Sequence, residues 1–199
     1  MHLRAPAILL SSRPHGETAV VARMLTSEFG VAAGYVAGGR GRNLRPVVIP
    51  GNLVELQLSA RSDSQLPFAK LELLESRGPW LGEPLAAAAI AWSCALTATA
   101  LPERQPYPSL YQALGGLLDA ICHAPSARGW AAALVGYETL LLRELGYGGG
   151  NRPLGDFVDI LEAMDKLAGP LDHYLLADRR GDVMAARARL RELLGRMVE

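Results

Sequence analysis

Short apolar or alternating runs bounded by turn residues fill the first eighty positions, and the period becomes helical after Gly82. These runs predict strands at 7–13, 19–26, 31–37, 52–60 and 68–75. In the strand at 52–60, Leu53, Glu55, Gln57 and Ser59 oppose Val54, Leu56, Leu58 and Ala60. Ser27-Glu28-Phe29-Gly30 reads as a hairpin turn, because glycine takes positive φ without strain. The stretch 46–50 is extended and bounded by Pro46 and Pro50, which suits an edge strand. A polar loop, Ser62-Asp63-Ser64-Gln65, leads into the last strand. About five short strands in one small basic module fit a five-stranded barrel of the oligonucleotide-binding (OB) type, a pattern that other small β-barrels share.

Beyond Gly82 the stretch 83–101 is apolar nearly all round, as in a buried helix. Pro102, Pro106 and Pro108 punctuate the connection. Ser109 can cap a helix carrying Leu110, Leu114, Leu117, Leu118 and Ile121. Ser126 can cap the next, where Trp130, Leu134, Tyr137, Leu141 and Leu145 form one stripe that stops at Gly146. Gly148-Gly149-Gly150 reads as a flexible link, followed by helical patterns at 154–176 and 182–198. Gly169-Pro170 must kink or divide the first of these. The fold class is therefore α+β: a five-stranded OB-type barrel at 1–80, then a helical domain at 81–199.

Charge refines this picture. The 199 residues carry no net charge, which argues against a polycation that coats its partner, yet the charge is uneven. Residues 1–80 hold nine Lys or Arg against six Asp or Glu, and the remainder hold eleven against fourteen. An anionic partner is expected at the front. Cys94 and Cys122 both lie in apolar helical patterns and read as reduced core thiols. With no CxxC pair, and with His2, His15, His123 and His173 far apart, neither a metal site nor a cofactor is expected. The start lacks the apolar core of a signal peptide, and the stretch 85–101 is too short and too alanine-rich for a bilayer span, so a cytoplasmic protein with no membrane partner is expected.

The chemistry concentrates in Gly38-Gly39-Arg40-Gly41-Arg42-Asn43. Glycine lets a backbone approach a partner closely, and arginine offers a permanent charge on a planar fork that matches phosphate. The loop lacks the Gly-Lys-Ser/Thr ending of a Walker motif, so a nucleic-acid backbone suits it better than a nucleotide. Arg40, Arg42 and Arg45 are the expected phosphate contacts, with Arg13 and Arg23 as further candidates. The barrel strands and turns have few aromatic rings, Phe29, Tyr35 and Phe68, so backbone contact is expected to dominate. His15 and Glu17 flank Gly16 in a turn, and no nucleophile–base pair can be nominated, so no enzyme is expected. Glu138 reads as a structural ion-pair residue at the margin of its helix's apolar face. Arg187, Arg189, Arg191 and Arg196 read as a solvated basic face. A protein-interaction adaptor, its barrel holding a partner chain, is the alternative.

Two groups of motifs add a resemblance. Leu10-Ser11-Ser12-Arg13-Pro14-His15-Gly16-Glu17-Thr18 followed by Leu25-Thr26-Ser27-Glu28-Phe29-Gly30 is similar to the opening of the bacterial DNA-repair protein family RecO. The basic loop from Gly38 to Arg45 matches that family's small loop. Tyr137-Glu138, Leu140-Leu141-Leu142 and Leu145-Gly146-Tyr147-Gly148 resemble its aromatic-Glu, Leu-Leu and Leu-Gly-Tyr-Gly signature. The resemblance implies an OB-fold joined to a helical domain. It implies a non-enzymatic recombination mediator that binds single- and double-stranded DNA and anneals strands. It also implies work with RecR and single-stranded-DNA-binding protein to load RecA. The chain departs from the family where Gly149 to Pro153 runs straight to the next helix, without the zinc-binding cysteines some members carry. It departs again at Val135 and Gly136, where some relatives place basic residues.

Overall fold

In the computed structural model, residues 2–60, 65–148, 150, 154–177 and 183–197 are described. Five strands, β1 (His2–His15), β2 (Ala19–Thr26), β3 (Gly30–Val36), β4 (Leu53–Ser59) and β5 (Phe68–Glu75), close a barrel in the order β1-β2-β3-β5-β4. The five-stranded barrel is the one expected from the sequence, while the order of its strands is set by long-range pairing that the strand patterns do not carry. Inward positions repeat every second residue: Ala7 and Leu9, then Val20, Ala22 and Met24, then Val54, Leu56 and Leu58. β1 runs past its expected start because residues 2–6 pair with β4 alone, which leaves Pro6 free of any need to donate on its other side. The β2–β3 turn forms as expected, with Gly30 at φ 68° and the Thr26 hydroxyl bonding Gly30 O and Phe29 N–H.

The stretch 46–50 is not an edge strand. Residues 42–48 instead coil into tight turns, with the N–H groups of Val47 and Val48 donating to Leu44 O. Val47 and Val48 are buried in the barrel core and Leu44 packs against it. The apolar pair closes the barrel's interior, and burial there outweighs the extended preference that the flanking prolines suggest.

The helices are α1 (Pro84–Ala100), α2 (Pro108–His123), α3 (Ala131–Glu144), α4 (Phe157–Pro170) and α5 (Val183–Gly195). The chain divides into two units: residues 1–81 with 101–111, and residues 82–100 with 112–199. Residues 101–111 thus cluster with the barrel. Their tie is visible at Arg104, whose N–H donates to Val31 O, and at Glu103, which bridges to Val31. Ser126 does not cap α3. A 3-10 turn, Ala127–Gly129, intervenes, and Trp130 at φ −128° breaks the helical path before α3 begins. α4 starts from a reciprocal capping box between Asp156 and Asp159. Pro170 ends it, and the chain continues as a π-helical turn, Leu171–Leu176. The expected loop at 62–64, the link at Gly149, and the expected helix ends at Asp182 and Val198 lie outside the described residues.

Glu138 is not at the margin of its helix's apolar face, and Arg187 is not solvated. Both are buried, and they face each other in a bidentate pair, with Arg187 Nε 2.9 Å from Oε1 and Nη2 2.7 Å from Oε2. Trp92 Nε1 donates to Glu138 Oε1 at 2.8 Å, and Arg187 Nη2 also donates to Met164 O. The pair joins α1, α3, α4 and α5. Its physical reason is long-range: a carboxylate is tolerated at this depth because a guanidinium 49 positions away satisfies both oxygens. Beside it, the Tyr137 hydroxyl lies 2.5 Å from the Thr97 hydroxyl. Burial pushes that phenol far above its ordinary range, and the Thr97 bond opposes the shift. Arg191 pairs with Asp165 and Arg196 with Glu192. Cys94 and Cys122 are free and buried.

Removing one partner of this pair leaves a buried charge uncompensated. Arg187→Met is expected to cost about 3–5 kcal/mol in urea denaturation. The double variant Glu138→Gln with Arg187→Met should lose clearly less than the single variant, because its buried amide carries no charge.

Candidate nucleic-acid interface

The loop after β3 is anchored at both ends. At its start, Arg40 N–H donates to Thr18 O, and the Arg40 guanidinium donates to Gly16 O at 3.3 Å and Glu17 O at 3.0 Å. These bonds fasten the loop to the β1–β2 turn. In its middle, Gly41 N–H donates to Gly38 O and Arg45 N–H to Gly41 O, so Arg40, Arg42 and Arg45 share one compact turn. At its end the fully buried Asn52 donates to Pro46 O at 2.9 Å and Val47 O at 3.0 Å, and its Oδ1 accepts Arg77 N–H at 2.7 Å. The Ser12 hydroxyl adds a bond to Val48 O. The apolar plug and these polar ties hold the loop from beneath while its arginines face solvent.

Arg40, Arg42 and Arg45 are exposed, as is Arg13, two residues before the β1–β2 turn. Arg13, Arg42 and Arg45 make no ion pair among the described residues, and Arg40 bonds only carbonyls, so its full charge persists. Arg23 differs. It lies about 13 Å further along β2 from the turn, and its guanidinium meets Glu103 at 3.0 Å. The structure thus places Arg13, Arg40, Arg42 and Arg45 around one end of the barrel and sets Arg23 apart with its charge balanced. A polyanion crossing that end would meet four guanidinium groups, three of them on one turn.

The family models Recombination protein O N terminal and Recombination protein O C terminal match residues 1–77 and 81–148. The chain belongs to the RecO family. Proteins named DNA repair protein RecO are 45% identical over 143 residues in Rhodospirillum centenum, 41% over 149 in Ruegeria sp. and 40% over 144 in Rhodospirillum rubrum. These matches cover 71%, 74% and 71% of this chain and 56%, 61% and 57% of the respective relatives. The chain therefore spans about three-fifths of the length of the RecO proteins it matches. The family's first match ends close to the barrel's end, and its second takes in the aromatic-Glu and Leu-Gly-Tyr-Gly motifs.

Asn52 escaped the sequence reading although a signal was present. Val54, Leu56 and Leu58 point inward, so residue 52 shares their register. An amide there has to find partners inside. Among the described residues no His, Cys, Asp and Glu cluster could hold a metal ion, and no helix is long and apolar enough to cross a membrane.

Because Asn52 satisfies two carbonyls and one N–H, Asn52→Ala should leave these three groups without their partner and cost about 2–3 kcal/mol in thermal or urea unfolding. An equal stability for the variant would show that water replaces the amide without loss.

Proposed function

We propose that this chain is a DNA-binding recombination mediator of DNA repair, acting without covalent chemistry. The single observation that carries the reading is the anchored turn that presents Arg40, Arg42 and Arg45, with Arg13 nearby and no carboxylate paired to any of them among the described residues. Family membership supplies the biological setting, since its members bear the name DNA repair protein RecO. Charge on a rigid turn contacts phosphates irrespective of sequence, so both single- and double-stranded DNA are accommodated. Two strands neutralised on one surface while their bases stay free can anneal. In this reading the chain works beside RecR and single-stranded-DNA-binding protein and so helps RecA to load.

An adaptor reading has one observation on its side. A second cavity of about 410 Å³ is lined by Phe29, Leu66, Pro67, Glu28 and Arg104, and Phe29 and Leu66 are both more than two-fifths exposed. Capture of a partner chain that survives nuclease treatment would favour it.

The DNA reading is tested by replacing Arg40 and Arg42 with alanine and titrating a fluorescent oligonucleotide at several salt concentrations. Loss of two phosphate contacts should lower the salt slope by about 1.4 for a single strand and about 1.8 for a duplex, with weaker binding throughout. Unchanged affinity and slope would remove the turn from the interface.

A further inference from the structure

The barrel's outer face carries an aromatic row that the sequence alone does not assemble. Register places Arg13 opposite Val21, Val21 opposite Tyr35, and Tyr35 opposite Phe68, so these four side chains lie across four adjacent strands on one face. His15 joins from the end of β1, its ring centroid 5.8 Å from that of Tyr35, and Phe68 follows at 5.4 Å from Tyr35. The contacts are edge to face, at interplanar angles of 90° and 80°, so the rings do not cover one another as a parallel stack would. Phe68 remains 62% exposed, the most exposed large apolar side chain among the described residues.

The row exists because β5 comes close to β3. Tyr35 N–H donates to Pro67 O at 2.8 Å, and a Cβ at Gly34 would stand 2.7 Å from Ala69 Cβ. Only glycine lets the strands meet there. Phe68 then forms part of the wall of a groove of about 770 Å³ whose polar lining is His2, Arg4, Gln57, Ser59 and Lys70, with no carboxylate among its lining residues. Arg4 is paired with Glu55, while Lys70 makes no ion pair among the described residues.

An exposed ring beside cations, on a groove whose lining holds no carboxylate, matches one chemistry well. A single strand of nucleic acid offers unstacked base faces and phosphates together, whereas a duplex keeps its base faces covered. We propose that Tyr35 and Phe68, with His15 beside them, form a base-stacking platform for single-stranded DNA, and that Arg13 and Lys70 hold the phosphates on either side. This inference rests on the DNA reading above and adds to it a preference for single strands. The loop arginines hold either form, and the ring row holds only the unpaired one.

The test compares the full chain with Phe68→Ala, Phe68→Trp and the Arg40/Arg42 alanine variant. Fluorescence anisotropy follows binding to a labelled 20-residue oligothymidylate and to a blunt duplex of equal length. Phe68→Ala is expected to bind the single strand about tenfold more weakly while its duplex affinity stays within about twofold. Phe68 is exposed, so its melting temperature should be unchanged. Phe68→Trp should keep single-strand affinity, and its added indole emission should be quenched by the oligonucleotide but not by the duplex. Two results overturn the platform: Phe68→Ala binding both forms as the parent does, or losing both equally. If the Arg40/Arg42 variant still weakens in either case, the phosphate-binding turn stands and only the platform falls. Failure of the parent chain to bind either form removes both.

Discussion

A buried amide holds this barrel's most exposed chemistry in place. Asn52 sits at the mouth of β4 and bonds two carbonyls of the preceding turn and one N–H beyond β5. Without those bonds, the carbonyls of Pro46 and Val47 would lose these partners where Val47 and Val48 enter the core. The same anchoring fixes where the loop's other end emerges, and there Arg40 ties it to the β1–β2 turn. On the proposed DNA reading, a loop backbone ordered in advance would lose less conformational freedom when a polyanion arrives, which would favour binding without any added contact.

Charge is distributed according to what each unit needs. The chain is neutral overall, yet its arginines have divided roles. Arg187 is paired inside the helical unit with Glu138, which also accepts a bond from Trp92, and Arg23 is balanced by Glu103. Arg13, Arg42 and Arg45 keep their charge for solvent or a partner. A count of basic residues along the sequence cannot separate these groups, because the acids that neutralise Arg187 and Arg23 lie 49 and 80 positions away.

The fold was legible where periodicity is strong. Strands β2 to β5 and the stripe of α2 follow from alternation and from the spacing of Leu110, Leu114, Leu117, Leu118 and Ile121, all of them buried. A loop at 38–43 was legible from its glycines, while the tight turns at 42–48 were not, because Pro46 and Pro50 suggest an extended chain. Long-range partnership was not legible. Val47 and Val48 look extended until the barrel's open interior is present to receive them. Glu138 looks marginal until α5 brings Arg187 to it. The ring row needs three strand registers at once, and single-strand patterns carry none of them.

Everything assigned to the arginine turn assumes that it is ordered before any ligand binds. Amide hydrogen exchange on the free protein measures this directly. The account predicts slow exchange at Arg40, Gly41, Arg45, Val47 and Val48, whose N–H groups are bonded to Thr18, Gly38, Gly41 and Leu44, with Arg42 and Asn43 exchanging freely between them. Exchange of all seven at the rate of an unstructured peptide, with protection arising only on addition of DNA, would contradict it.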